Sequence, residues 1–173
     1  MPDLTPVLDK DAIARRVDEV ARQISSDYRD GDLVLIGVLK GAFVFMADLM
    51  RRLDLDRVAV DFVRLASYGC ASDSCGQIAL VSTFEIDIQG KDVLIVEDIL
   101  DTGLTMAFLK QHLNTFNPKS VKACVLIDKQ ERRKVDVRAE YVCHQVKEGF
   151  LVGYGLDYAE AYRHLPGIFH LNI

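Results

Sequence analysis

Three almost unbroken aliphatic runs mark this chain: Leu33-Val34-Leu35-Ile36-Gly37-Val38-Leu39, Val93-Leu94-Ile95-Val96 and Val121-Lys122-Ala123-Cys124-Val125-Leu126-Ile127. Short apolar runs rich in branched residues predict strands buried on both faces, as in a parallel sheet. Behind the first run Phe45, Leu49 and Leu53 recur at helical spacing, and behind the second Met106, Leu109, Lys110 and Leu113 do the same. An earlier segment, Lys10 to Tyr28, carries Ile13, Val17, Val20 and Ile24 on one side. It predicts an amphipathic helix, with Asp9 as N-cap and Arg15, Arg16, Asp18 and Glu19 on the solvated face. Asp30-Gly31-Asp32 closes it in a turn. Arg57 to Ala66 alternates in part (Val58, Val60, Phe62, Leu65) and predicts a strand, as does Gln77 to Thr83. The small polar residues between them, Ser67 to Gly76, predict a mobile loop at the tip of a two-stranded flap, although their composition alone also suits a plain surface hairpin. The recurring order of strand, loop and helix predicts an α/β fold around a mostly parallel sheet.

In open α/β sheets ligands bind beyond the carboxyl ends of the strands. The second run ends in Glu97-Asp98-Ile99-Leu100-Asp101-Thr102-Gly103-Leu104-Thr105. Backbone N–H groups from Thr102 to Thr105 open a helix, so they are free for an anion that the helix dipole also favours. Gly103 allows close approach, and the Thr102 and Thr105 hydroxyls add donors. Glu97 and Asp98 would repel a phosphate, so they suit vicinal sugar hydroxyls or a divalent cation. A phosphorylated sugar satisfies the whole stretch. Asp101 or Thr102 could instead only cap the helix. A Walker-B strand would require G-x-x-x-x-G-K-[ST] earlier in the chain, and that motif is absent.

With 173 residues the chain suits one domain. Half of it is hydrophobic, yet no segment nears the roughly 20 apolar residues that span a bilayer. Its Met1-Pro2-Asp3-Leu4 start lacks the layout of a signal peptide, so a soluble cytoplasmic protein is expected, with no membrane partner. A formal net charge of −5 argues against a nucleic-acid surface. Of the four cysteines, Cys124 reads as core; Cys70 and Cys75 lie close enough in the polar loop to allow a redox switch, which a reducing compartment disfavours.

Val96-Glu97-Asp98-Ile99-Leu100-Asp101-Thr102-Gly103-Leu104-Thr105 resembles the phosphoribosyl-pyrophosphate motif of the type I phosphoribosyltransferases. In its Glu-Asp…Asp-Thr-Gly form it is similar to the hypoxanthine-guanine branch of compact bacterial type, and further matches extend from about Leu33 to the C-terminus. The resemblance implies a single domain over 1–173 with a flexible loop at about 67–76 and a C-terminal hood at about 145–173. Leu39-Lys40-Gly41 matches the family's pyrophosphate loop, which often holds a cis peptide at the position of Leu39–Lys40. A lysine beside a helix N-terminus is electrostatically misplaced unless an anion is bound there, which supports the same role. Ser67-Tyr68-Gly69 matches the start of the loop that closes over the reacting sugar. Lys129 matches the lysine that donates to the purine 6-oxygen; it could otherwise pair with Asp128 or Glu131 on the surface. Phe150 matches the stacking aromatic, with ordinary core as its alternative. Backbone groups of Leu151 and Asp157 would read the base edge, the Asp157 carboxylate would support Mg²⁺ with Glu97 and Asp98 near the metal, and Arg163 would contact pyrophosphate. The basic run Lys129-Gln130-Glu131-Arg132-Arg133-Lys134 is short and reads as a solvated loop.

The implied activity is Mg²⁺-dependent transfer of a phosphoribosyl group from phosphoribosyl pyrophosphate to a 6-oxopurine, with Asp101 beside purine N7 as general acid/base, in a homodimer or homotetramer. A non-catalytic nucleotide-binding regulator on the same fold is the competing reading, and a metal-dependent phosphohydrolase built on Glu97, Asp98 and Asp101 is a third. One departure stands out: the family's Ile-Pro-Asp-x-Phe approach to the stacking ring reads Val146-Lys147-Glu148-Gly149-Phe150 here, with the proline lost and a glycine gained.

Overall fold

The computed structural model describes residues 3–68 and 77–172. In chain order it runs β1 (Asp3–Leu8), α1 (Lys10–Asp27), β2 (Leu33–Leu39), α2 (Phe43–Met50), β3 (Val58–Tyr68), β4 (Gln77–Ser82), β5 (Asp92–Leu100), α3 (Leu104–Asn114), β6 (Ser120–Lys129), β7 (Tyr141–Val146), β8 (Leu151–Val152) and β9 (Ile168–Asn172). Six strands form the main sheet in the order β4-β3-β2-β5-β6-β7. The pairs from β3 to β7 are parallel, and β4 runs antiparallel to β3. This is the α/β, single-domain, mostly parallel architecture that the sequence predicts.

Alternate residues of the central strands feed two cores. Leu33, Leu35, Leu94 and Val96 face α1 and α2, whereas Val34, Ile36, Val93 and Ile95 face α3 through Met106, Leu109 and Leu113. Both faces are therefore dry, which is why these strands carry unbroken aliphatic runs. Helix α1 buries Ile13, Val17, Val20 and Ile24, and its N-cap is Asp9, whose carboxylate accepts the Ala12 N–H at 2.7 Å. Cys124 and Cys143 are buried thiols, and burial pushes the Cys143 thiol up to about 12.

Several boundaries differ from expectation. Helix α2 stops at Met50, so Leu53 packs against the core from the connection that follows. Strand β5 continues through Glu97, Asp98 and Leu100, and β6 through Asp128 and Lys129, because parallel pairing to the neighbouring strand carries each beyond its aliphatic run. A second sheet, β1-β9-β8, joins the two ends of the chain. The flap expected between Arg57 and Thr83 is the β3–β4 pair, ending at Tyr68 opposite Gln77. Gly69, Cys70 and Cys75 lie outside the described residues.

Candidate active site

The loop after β5 is held from outside by a segment whose basic composition predicts a solvated loop. Arg133 donates through Nε to Asp101 O at 2.9 Å, through its terminal nitrogens to Val137 O at 3.0 Å and Leu100 O at 3.1 Å, and it pairs with the Asp128 carboxylate. The Lys134 N–H takes Thr102 O at 2.9 Å. In a continuing helix Asp101 O and Thr102 O would receive the N–H groups of Thr105 and Met106. With both carbonyls drawn outward, the amides at the start of α3 are left for an external acceptor. The first bond of the helix is Ala107 N–H to Gly103 O at 2.9 Å.

Gly103 is the residue that makes this turn. It is the N-cap with φ of 82°, it has no side-chain cap, and a Cβ there would lie 2.7 Å from Val137 Cγ1. Neither Asp101 nor Thr102 therefore serves as the helix cap, although Thr102 Oγ1 accepts a long bond from Leu104 N–H at 3.4 Å. Asp101 Oδ1 is buried without a hydrogen-bond partner and stands 3.6 Å from Lys129 Nζ. An unsatisfied buried carboxylate oxygen is costly, so its survival beside a cation marks a group kept for a ligand.

Lys129 is not on the surface. It is 6% exposed, donates to Gly149 O at 3.2 Å, and lies 3.7 Å from Glu131 Oε2. Asp128 is taken by Arg133 and does not pair with it. Phe150 leaves 43% of its surface open and meets Tyr158 edge-on with ring centroids 5.5 Å apart, so it is not ordinary core. An open aromatic face next to an immobilised ammonium is what a flat, oxygen-bearing ring requires. Leu151 is buried in β8 beside it.

Glu97 and Asp98 lie at the end of β5. Burial, followed by the neighbouring Asp98 charge, pushes the Glu97 carboxyl well above its ordinary range. Burial likewise raises Asp98 to about 6, with Asp157 adding and Arg163 opposing. A Cβ on Gly41 would fall inside the Asp98 carboxylate, and one on Gly155 would strike Gly41 O. The Leu39-Lys40-Gly41 turn is thus seated between the acid strand and the C-terminal segment, and the Leu39–Lys40 peptide is cis.

Around that turn the charges pair among themselves. Lys40 Nζ meets Glu160 Oε2 at 2.9 Å, and Arg163 meets Asp157 Oδ1 at 2.8 Å and Glu160 Oε1 at 3.6 Å. The Arg163 Nε is buried without a partner. Ser67 and Tyr68 end β3. Among the described residues no cluster of three or more His, Cys, Asp or Glu is preassembled for a metal. Paired buried carboxylates with raised proton affinity nevertheless fit Mg²⁺, which takes one or two carboxylates and fills its remaining positions from water and phosphate. Sequence reasoning missed Arg133, Glu160 and the bond from the Gly149 N–H to Glu131; each depends on a contact with a residue at least 18 positions away that local periodicity does not signal.

Residues 4–159 match the phosphoribosyl transferase domain family. The hypoxanthine-guanine phosphoribosyltransferase of Aquifex aeolicus is 48% identical over 164 residues, covering 94% of this chain and 92% of the relative. The hypoxanthine phosphoribosyltransferase of Escherichia coli K12 is 44% identical over 158 residues, covering 90% and 88%. The crystal structure of a hypoxanthine-guanine phosphoribosyltransferase from Bacillus anthracis superposes with a TM-score of 0.92 at 44% identity, covering 98% of this chain and 99% of that one.

Proposed function

This chain belongs to the phosphoribosyltransferase family, and on that premise we propose that it is a purine salvage enzyme. It transfers the 5-phosphoribosyl group of phosphoribosyl pyrophosphate to N9 of hypoxanthine or guanine and releases pyrophosphate. The observation that carries this reading is the juxtaposition of the free amides opening α3 with the buried Lys129–Asp101 pair, 3.6 Å apart. The first suits a sugar 5′-phosphate, and the second suits the 6-oxygen and N7 of a 6-oxopurine.

The residues divide the work by charge. Amides from Thr102 to Thr105, with Gly103 giving access and Leu104 beginning the helix, hold the phosphate. Glu97 and Asp98 take the ribose hydroxyls and place negative potential near the cationic sugar that forms as the leaving group departs. Lys40, Gly41 and Arg163 receive the pyrophosphate, for which Lys40 must leave Glu160, and Arg163 must leave Asp157 and Glu160. Asp101 exchanges the N7 proton, while Lys129 fixes the 6-oxygen and Phe150 stacks on the ring, with Leu151 and Asp157 reading its edge through their backbones. Ser67, Tyr68 and Gly69 begin the segment that excludes water from the reacting sugar. Mg²⁺, held by Glu97, Asp98 and Asp157 together with substrate oxygens, would supply charge neutralisation of the leaving pyrophosphate.

The setting is the cytoplasm and the assembly a homodimer or homotetramer, with small molecules as substrates. No helix among the described residues is long and apolar enough to cross a membrane. A steady-state assay with Mg²⁺, phosphoribosyl pyrophosphate and each of hypoxanthine, guanine, xanthine and adenine tests the proposal. Turnover of a 6-oxopurine and not adenine is the expected result. Phosphate release without any purine would favour a phosphohydrolase, and binding without turnover a regulator.

A further inference from the structure

The stacking residue Phe150 is preceded by Gly149, which has φ of 99° and whose added Cβ would lie 2.6 Å from His170 Nδ1. The position excludes a side chain, so this approach cannot be anchored by one of its own, nor by the rigid proline that the sequence lacks two residues earlier. Two contacts hold it instead. The Gly149 N–H donates to Glu131 Oε2 at 3.2 Å, and Gly149 O accepts from Lys129 Nζ at 3.2 Å. The same Glu131 oxygen is 3.7 Å from that ammonium, so carboxylate, ammonium and both sides of one residue close a ring. On the far side, Phe150 O is held by the Leu171 N–H at 2.9 Å.

We propose that Glu131 is a positioning residue for the base pocket: it fixes the Gly149 backbone under the stacking ring and holds the Lys129 ammonium off Asp101. The inference rests on the purine-transferase reading of the site. Lys129 stands between two carboxylates at nearly equal range, 3.6 Å from Asp101 Oδ1 and 3.7 Å from Glu131 Oε2. Removing Glu131 leaves Asp101 as the sole carboxylate within 4 Å of the ammonium among the described residues. The lysine then moves toward Asp101 and away from the 6-oxygen, while Gly149 loses the acceptor of its N–H. A role confined to folding would affect both substrates alike; this one acts on the base alone, because the pyrophosphate contacts of Lys40 and Arg163 involve neither Glu131 nor Lys129.

The test compares the unsubstituted chain with Glu131→Ala and Glu131→Gln by kinetics and by amide hydrogen exchange without substrate. In Glu131→Ala the KM for hypoxanthine should rise about tenfold, the effect of losing one charge-assisted hydrogen bond, with the KM for phosphoribosyl pyrophosphate within about twofold. Exchange at Gly149 should quicken about tenfold. Glu131→Gln keeps an acceptor for the Gly149 amide but not the charge, so protection should return while the hypoxanthine KM recovers only in part. Equal changes in both KM values, an unchanged hypoxanthine KM, or Gly149 exchange that ignores Glu131→Ala would each overturn the inference with the enzyme reading intact. An unsubstituted chain that turns over no purine would overturn that reading and the inference with it.

Discussion

On one side of Lys129 lies the loop after β5, and on the other the segment from Gly149 to Arg163; the two are held in place by different physics. Arg133 clasps the first through backbone carbonyls of Leu100 and Asp101, with its own side chain largely sequestered. The second is crowded with left-handed residues that are not glycine: Tyr154, Ala159, Glu160 and Tyr162 have φ of 51°, 49°, 64° and 74°. Such residues persist where their surroundings enforce them. Here those surroundings include the ion pairs of Lys40, Asp157, Glu160 and Arg163, and the Glu160 carboxylate is 65% exposed. On the proposed reading, the end of a central parallel strand is a fixed cradle for the phosphate, whereas the base and pyrophosphate side depends on contacts that a ligand can exchange for its own.

That contrast makes its strongest demand on Asp101. Asp101→Asn keeps the shape of the loop and removes the proton acceptor, so kcat should fall by roughly 10²–10⁴. Turnover near the original value would reduce Asp101 to scaffolding. Arg133→Ala removes the clasp without touching substrate. It should lower kcat/KM by about 10² and unfolding stability by about 3 kcal/mol, the cost of leaving several buried acceptors unpaired. Denaturant titration beside kinetics would show whether the two losses travel together, as the clasp requires. For Lys129→Ala, hypoxanthine binding should weaken about tenfold or more and phosphoribosyl-pyrophosphate binding much less. Equal weakening would remove its base-reading role.

The acid pair predicts an unusual pH dependence for the chelated, ligand-free protein. Glu97 and Asp98 hold protons more tightly when folded than when unfolded, so folding is favoured by protonating them. For Asp98, a change from the usual 3.8 to about 6 corresponds to on the order of 3 kcal/mol. That stability is present below about pH 4 and is lost as pH rises through about 6. Denaturation midpoints at pH 5 and pH 7 should therefore favour pH 5, with the difference reduced in Asp98→Asn; an undiminished difference in that variant would dissociate it from the cluster. The smallest effect belongs to Glu160→Gln. Its carboxylate is held below the ordinary range by Lys40, so neutralising it frees Lys40, while Arg163 keeps Asp157 at 2.8 Å. The KM for phosphoribosyl pyrophosphate should fall by about two- to fivefold, consistent with a surface ion pair.

The strand, turn and helix of the proposed phosphate side were legible because their parts are contiguous: aliphatic strand, acids, Gly103 turn and helix lie within Val93 to Leu113. The periodicity of α1 and the Asp9 cap were legible for the same local reason. What periodicity did not carry was pairing at a distance. Strand β1 joins β9 across the length of the chain, and its Asp3-to-Leu8 sequence gives no strong strand signal alone. Arg133 sits in a basic run that composition assigns to solvent, yet Asp128 and the carbonyls of Leu100, Asp101, Lys129 and Val137 draw it in. Lys129 read equally well as a surface ion-pair partner; only the fold buries it between Asp101 and Glu131.

The account turns on which groups grip the 5′-phosphate, and a crystal structure with inosine monophosphate measures that directly. The phosphate should rest against the backbone amides of Thr102 to Thr105, with the ribose hydroxyls at Glu97 and Asp98 and the purine 6-oxygen at Lys129. A phosphate seated elsewhere, with those amides still unoccupied, would contradict it.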